Sequence, residues 1–127
     1  MDNKCFACGG ENEKGLKLKI TETADGVISI IRLPSDYQGY SAIAHGGIIA
    51  TILDEMAVWA AYKSGYKSAT CELNVRIKKP MYIGQEYIAR GWVIEARNRL
   101  VKAGAELKDR NSESIVASAC VKLIRID

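Results

Sequence analysis

Apolar and polar positions alternate in most of this chain and switch to a helical period once. Leu16, Leu18 and Ile20 alternate with Lys17, Lys19 and Thr21, which predicts a half-buried strand. Thr23-Ala-Asp-Gly26 is a turn signal, and Val27 to Leu33 is a short β-branched run, so the two segments predict a hairpin. Pro34 to Ser41 is irregular, with Gly39 between two tyrosines. A helix is predicted from about Gly46 to Lys63. Four strand-like runs follow, at about Ala69 to Lys78, Gln85 to Ala96, Leu100 to Lys108 and Ser114 to Ile126. The breaks between them, Pro80–Gly84, Arg97-Asn98-Arg99 and Asp109–Glu113, are short and predict antiparallel neighbours.

The order strand, strand, helix, four strands predicts an α+β fold with no internal repeat or linker, a single domain over residues 1–127. Val75 and Ile77 alternate with Asn74, Arg76 and Lys78. The last strand instead looks apolar on both faces, through Ile115, Val116, Val121, Leu123, Ile124 and Ile126. A sheet with one face on a helix should alternate more cleanly. The outer face or edge is therefore expected to meet a second copy of the chain.

Within that helix, Gly47, Thr51, Asp54, Glu55, Val58 and Tyr62 fall on one stripe at 100° per residue. Ile48, Ile49, Ile52, Leu53, Met56, Ala57, Trp59 and Ala60 cover nearly all the rest, so the helix is expected to be buried. Asp54 and Glu55 either line its one solvated stripe or serve function in a largely apolar setting. Ala44-His45-Gly46-Gly47 puts two glycines where the first helical N–H groups lack partners and the dipole is positive. A carbonyl or phosphate oxygen could approach there closely. His45 either holds the glycine turn or contributes to binding. Asp54 lies nine residues after His45, which puts the carboxylate two helical turns, about 10 Å, from the glycine amides. One carbonyl could touch both groups only if a second, antiparallel helix brought in the carboxylate, which again argues for a dimer.

Composition narrows the class. The chain has 127 residues, 48% hydrophobic and 26% charged, an ordinary globular balance. No run reaches the roughly 18 apolar residues of a membrane span. Met1-Asp2-Asn3-Lys4 lacks the apolar core of a signal peptide, so a cytoplasmic protein with no membrane partner is expected. Eighteen basic and 15 acidic residues leave a net charge of +3, too little to argue for nucleic acid as a partner. A phosphate-bearing small molecule needs only a few cations. Lys78, Lys79, Arg97, Arg99 and Lys102 are candidates for that role, or are plain solvated charges. Cys5 and Cys8 form one C-x-x-C, whereas Cys71 and Cys120 stand alone in strand-like runs. A structural zinc site usually needs two such pairs, or a pair and two histidines, and His45 is the one histidine. The pair is thus read as a tight-turn element, with metal or redox chemistry as the alternative.

Together, His45-Gly46-Gly47 with Asp54 nine residues on, Tyr37-Gln38-Gly39-Tyr40 before the motif, Glu72-Leu73-Asn74-Val75 after the helix, and Lys79-Pro80 followed by Gly84 resemble the hotdog-fold acyl-CoA thioesterases of the phenylacetate-pathway and 4-hydroxybenzoyl-CoA thioesterase type. The resemblance covers nearly the whole chain. It implies a hotdog fold, with a long central helix wrapped by a curved antiparallel sheet of five to six strands. Two chains would join their sheets as a homodimer or a dimer of dimers, with the active site at the dimer interface. It implies hydrolysis of a small or medium acyl-CoA, with no cofactor and no metal. Gly46 would polarise the thioester carbonyl, and Asp54 of the partner chain would act as general base or nucleophile. Thr70 would help orient the water, with His45, Gly47 and Gln38 at the substrate. Relatives often carry Asn or Gln where Gly39 stands here, and Gln38 is the available substitute. Glu55 shares the stripe but not the family spacing. Tyr40, Trp59 and Tyr62 would line an acyl pocket or belong to the core. The alternative reading is a hotdog protein that binds an acyl-CoA thioester without hydrolysing it.

Overall fold

The computed structural model describes residues 2–126. Six strands, β1 (Thr21–Glu22), β2 (Val27–Arg32), β3 (Ser68–Ile77), β4 (Glu86–Arg97), β5 (Leu100–Asp109) and β6 (Ile115–Arg125), form one antiparallel sheet in the order β1-β2-β4-β5-β6-β3. The helix α1 (Gly46–Lys63) packs against β2 through β6. One long helix on a six-stranded antiparallel sheet is the hotdog fold. Among the described residues no helix is long and apolar enough to cross a membrane.

Burial explains the helix. Ile49, Ile52, Leu53, Met56, Ala57, Ala60 and Ala61 of α1 are buried against inward residues of the sheet, including Val101, Ala103, Leu107, Val121 and Leu123. Burying one of the larger side chains among these, Ile, Leu or Met, contributes about 1.5–3 kcal/mol. Small residues set how close the layers come. At Gly91 of β4, a Cβ would lie 2.3 Å from the Met56 carbonyl oxygen, so only glycine lets the helix backbone reach the sheet.

Three expectations need correction. The run Leu16 to Ile20 is not a strand. Leu18 is buried and the lysines are exposed as the alternation predicts, but the backbone bonds to the N-terminal loop. Leu16 N–H donates to Phe6 O (2.7 Å) and Leu18 N–H to Ala7 O (2.8 Å). Lys17 adopts φ +53°, which breaks the extended run, and the hairpin partner of β2 shrinks to Thr21–Glu22.

β3 and β4 are not neighbours despite their short connection. β3 pairs with β6 and β4 with β2, so residues 78–85 cross below the start of α1. Buried Met81 anchors the crossing, its carbonyl accepting Ala44 N–H at 2.8 Å.

β6 is interior, and the sheet edge beside it belongs to β3, with β1 at the other edge. The apparent apolarity of both β6 faces comes partly from a bulge. Leu107 pairs with Ala117 but Lys108 with Ile115, so Val116 is the extra residue and is buried beside Ala117. Beyond it, Val121 and Leu123 face the helix while Cys120, Lys122 and Ile124 point away.

Candidate active site

His45 caps α1 with extended backbone (φ −61°, ψ 135°), and its Nδ1 accepts the Gly47 N–H at 2.9 Å. The neutral ring therefore carries its proton on Nε2. His45 N–H donates to Tyr37 O (2.9 Å), and Gly39 N–H to Ile43 O (2.8 Å), so a small loop holds the helix entry. Gly46 is exposed at the first helical position, and its amide finds no acceptor among the described residues. Of the two glycine amides, Gly47's is used internally and Gly46's faces outward at the positive end of the helix. A shallow cleft lined by Gly46, Ile77, Lys78 and Lys79 adjoins it, which brings those two lysines to the helix start. Arg97 and Arg99 lie at the opposite end of the sheet, near the β5–β6 residues Leu100 and Ile124.

Gln38 sits in the same entry loop. Its Oε1 accepts Ala42 N–H at 3.2 Å, so the carboxamide braces the loop. At Gly39 a Cβ would make ordinary contact with His45 Cα at 3.4 Å, so the lack of a side chain there is not imposed by space.

Asp54 lies eight residues into α1 from Gly46, half-buried on the stripe with Thr51, Val58 and Tyr62. Its Oδ1 accepts a 2.5 Å hydrogen bond from Thr70 Oγ1 of β3. A bulge makes that contact. Leu73, Val75 and Ile77 pair with the inward register of β6, and simple alternation would turn Thr70 outward. Cys71 is the extra residue between Thr70 and Glu72, so Thr70 pairs with inward Leu123 and points at the helix. Sequence periodicity cannot see this, and the family resemblance was the only signal that named Thr70.

Glu55 does not share the stripe. It turns to the buried side of α1, 8% exposed, where Oε1 accepts Trp59 Nε1–H at 3.0 Å and lies 3.9 Å from Cys5 Sγ. One residue advances a helix by about 100°, enough to take Glu55 off the solvated face that Asp54 keeps. Trp59 is thus engaged with Glu55, while Tyr62 lines a cavity of about 520 Å³ with Val58, Lys67 and Ser68 at the far end of the stripe. Tyr40 is exposed.

Gly46 and Asp54 of one chain are separated by about 12 Å at 1.5 Å per residue. The exposed stripe of α1 runs beside the unpaired edge of β3, where Leu73 and Ile77 are 39% and 46% exposed.

This fold falls in a known class. The profile of the thioesterase superfamily matches residues 42–116, and the chain belongs to that superfamily. No curated protein matches it. A crystal structure of a thioesterase superfamily protein superposes with a TM-score of 0.90 at 20% identity, over 96% of this chain and 60% of the other, so this chain spans about three-fifths of that relative's length. The E. coli PaaI protein from the phenylacetic acid degradation operon is similar at 16% identity and a TM-score of 0.79, over 87% of this chain and 84% of that one. A Streptococcus mutans protein bound to acetyl CoA is similar at 17% identity and a TM-score of 0.78, over 85% and 87%.

Proposed function

We propose that this protein is an acyl-CoA thioesterase acting on small or medium acyl groups, working as a homodimer or dimer of dimers. The observation that carries the reading is the pair formed by Asp54 and Thr70: a carboxylate on the solvated stripe of a buried helix, held by a hydroxyl at 2.5 Å. Structural relatives include a protein bound to acetyl CoA, which supports the substrate class.

The chemistry needs little beyond these groups. The thioester carbonyl oxygen points at Gly46 N–H, and Asp54 of the partner subunit takes a proton from water as the water attacks the carbonyl carbon. Negative charge gathers on the carbonyl oxygen, where the amide and the helix dipole stabilise it. The tetrahedral adduct collapses, the C–S bond breaks, and CoA leaves as the thiolate. One amide donor contributes roughly 10²–10³ in rate and a positioned base roughly 10²–10⁴. Attack by Asp54 itself, through an anhydride, uses the same two groups. Thr70 is a positioning residue, since it acts through the carboxylate. His45 fixes the entry turn by holding Gly47 N–H, and Lys78 and Lys79 suit the phosphates of CoA.

One observation favours a second reading, a binding protein without turnover. Position 39 has no side chain, and the Gln38 carboxamide oxygen is committed to Ala42. Thiol release from short, medium, long and aromatic acyl-CoAs, wild type beside Asp54→Asn, separates the two. The thioesterase reading expects turnover on part of the panel and a fall of roughly 10²–10⁴ in the variant. Tight binding with no release on any substrate supports the second.

A further inference from the structure

We propose that Cys5, Cys8 and Glu55 form a binding site for one zinc-like divalent cation, which ties the N-terminal loop to the buried side of α1. The two Sγ atoms and a Glu55 carboxylate oxygen lie within 4.8 Å of one another. Zinc–sulfur and zinc–oxygen bonds of about 2.3 and 2.1 Å put tetrahedral ligands about 3.5–3.8 Å apart, so small side-chain rotations close the site.

The set is held from both sides. Cys5 and Cys8 sit in a loop fixed by Gly9 N–H to Cys5 O (2.9 Å) and by the bonds of Phe6 and Ala7 to the Leu16–Leu18 backbone. A Cβ at Gly9 would stand 2.4 Å from Asn3 O and Cys5 N, so the turn after the cysteines requires glycine. On the helix, Trp59 Nε1–H fixes the carboxylate, the kind of outer partner that orients metal ligands. Glu55 is buried and takes part in none of the ion pairs among the described residues. A cation would supply the charge partner that such a buried carboxylate needs.

Two thiolates and one carboxylate match zinc, with cobalt as its coloured substitute, better than calcium or magnesium, which prefer oxygen alone. Both cysteines are half-buried, so solvent can reach the fourth position. Binding displaces the two thiol protons, one from each cysteine, and changes no oxidation state. Glu55 faces away from the stripe that carries Asp54, so the role is structural and does not rest on thioester chemistry.

Cobalt(II) titration of the reduced, chelator-stripped full chain tests this. The expected result is one cobalt per chain with a thiolate-to-cobalt charge-transfer band and tetrahedral visible bands, displaced by zinc. Zinc should also raise the unfolding temperature. Cys8→Ser should abolish the thiolate band, Glu55→Gln should weaken cobalt binding at least about tenfold, and Cys71→Ser with Cys120→Ser should leave it intact. Wild-type protein with four reactive thiols, no band and no zinc-dependent shift overturns the proposal. So does a band that vanishes with Cys71 and Cys120. Both of these decide the matter even where Cys8→Ser fails to fold.

Discussion

Thr70 Oγ1 lies 2.5 Å from Asp54 Oδ1, on a strand residue that a bulge has turned toward the helix. A hydrogen bond to a charged group contributes about 1.5–3 kcal/mol, which corresponds to roughly 10- to 100-fold in rate if it is lost at the transition state. Thr70→Ala should therefore lower kcat by about that factor, with little change in KM, and Thr70→Ser should recover most of it. Steady-state kinetics on an accepted acyl-CoA checks both. Tyr87 gives a residue-scale prediction about pH. Burial, then the negative charge of Asp109, raises its phenol above the ordinary value of 10.0, and its oxygen accepts Tyr82 N–H at 2.8 Å. Above pH 10 the unfolded chain releases this proton while the folded chain keeps it. Its contribution is therefore complete below 10 and is lost as pH rises toward the folded value. The stability difference between wild type and Tyr87→Phe, followed by denaturant unfolding, should shrink as pH climbs past 10.

At the scale of elements, long periodic segments were legible and their partners were not. The helix Gly46–Lys63 and the strands β3 to β6 fall within a residue or two of the boundaries that their patterns predict. Alternation reports burial, though, not which backbone a strand bonds to. That is why Leu16 to Ile20 shows the right exposures without joining the sheet, and why the β3–β4 connection looked like a hairpin. Bulges at Val116 and Cys71 reverse the facing of the residues beyond them, and a period-two reading has no means of placing them. In the site, Gly46 and Asp54 were visible from the helix pattern, Thr70 only through family resemblance. A 100° stripe groups Glu55 with Asp54 because it blurs adjacent residues, and the packed helix turns Glu55 to the buried side. The packing of α1 on β4 makes its own prediction. Gly91→Ala places a Cβ 2.3 Å from the Met56 backbone oxygen, so layers must separate. Overpacking of this kind costs about 1–3 kcal/mol. Thermal unfolding should show a clear drop in Tm, with the fold retained.

In the whole molecule, β3 is an edge of ten residues with no strand on its outer side among the described residues, and Leu73 and Ile77 stay exposed beside the α1 stripe. An edge this long invites pairing with a second strand. The proposed dimer pairs it with the same edge of a second chain, setting Gly46 of each chain opposite Asp54 of the other. Gly46→Pro removes the amide donor at little structural cost. Proline is favoured at the first helical position, and His45 already has the extended backbone that precedes proline. The decisive measurement mixes Asp54→Asn with Gly46→Pro, each inactive alone, after unfolding and refolding them together. A shared site predicts that thiol release returns, because each hybrid holds one intact Gly46–Asp54 pair. A mixture that hybridises yet stays as inactive as its parents, while wild type turns over, would contradict a site built from two chains.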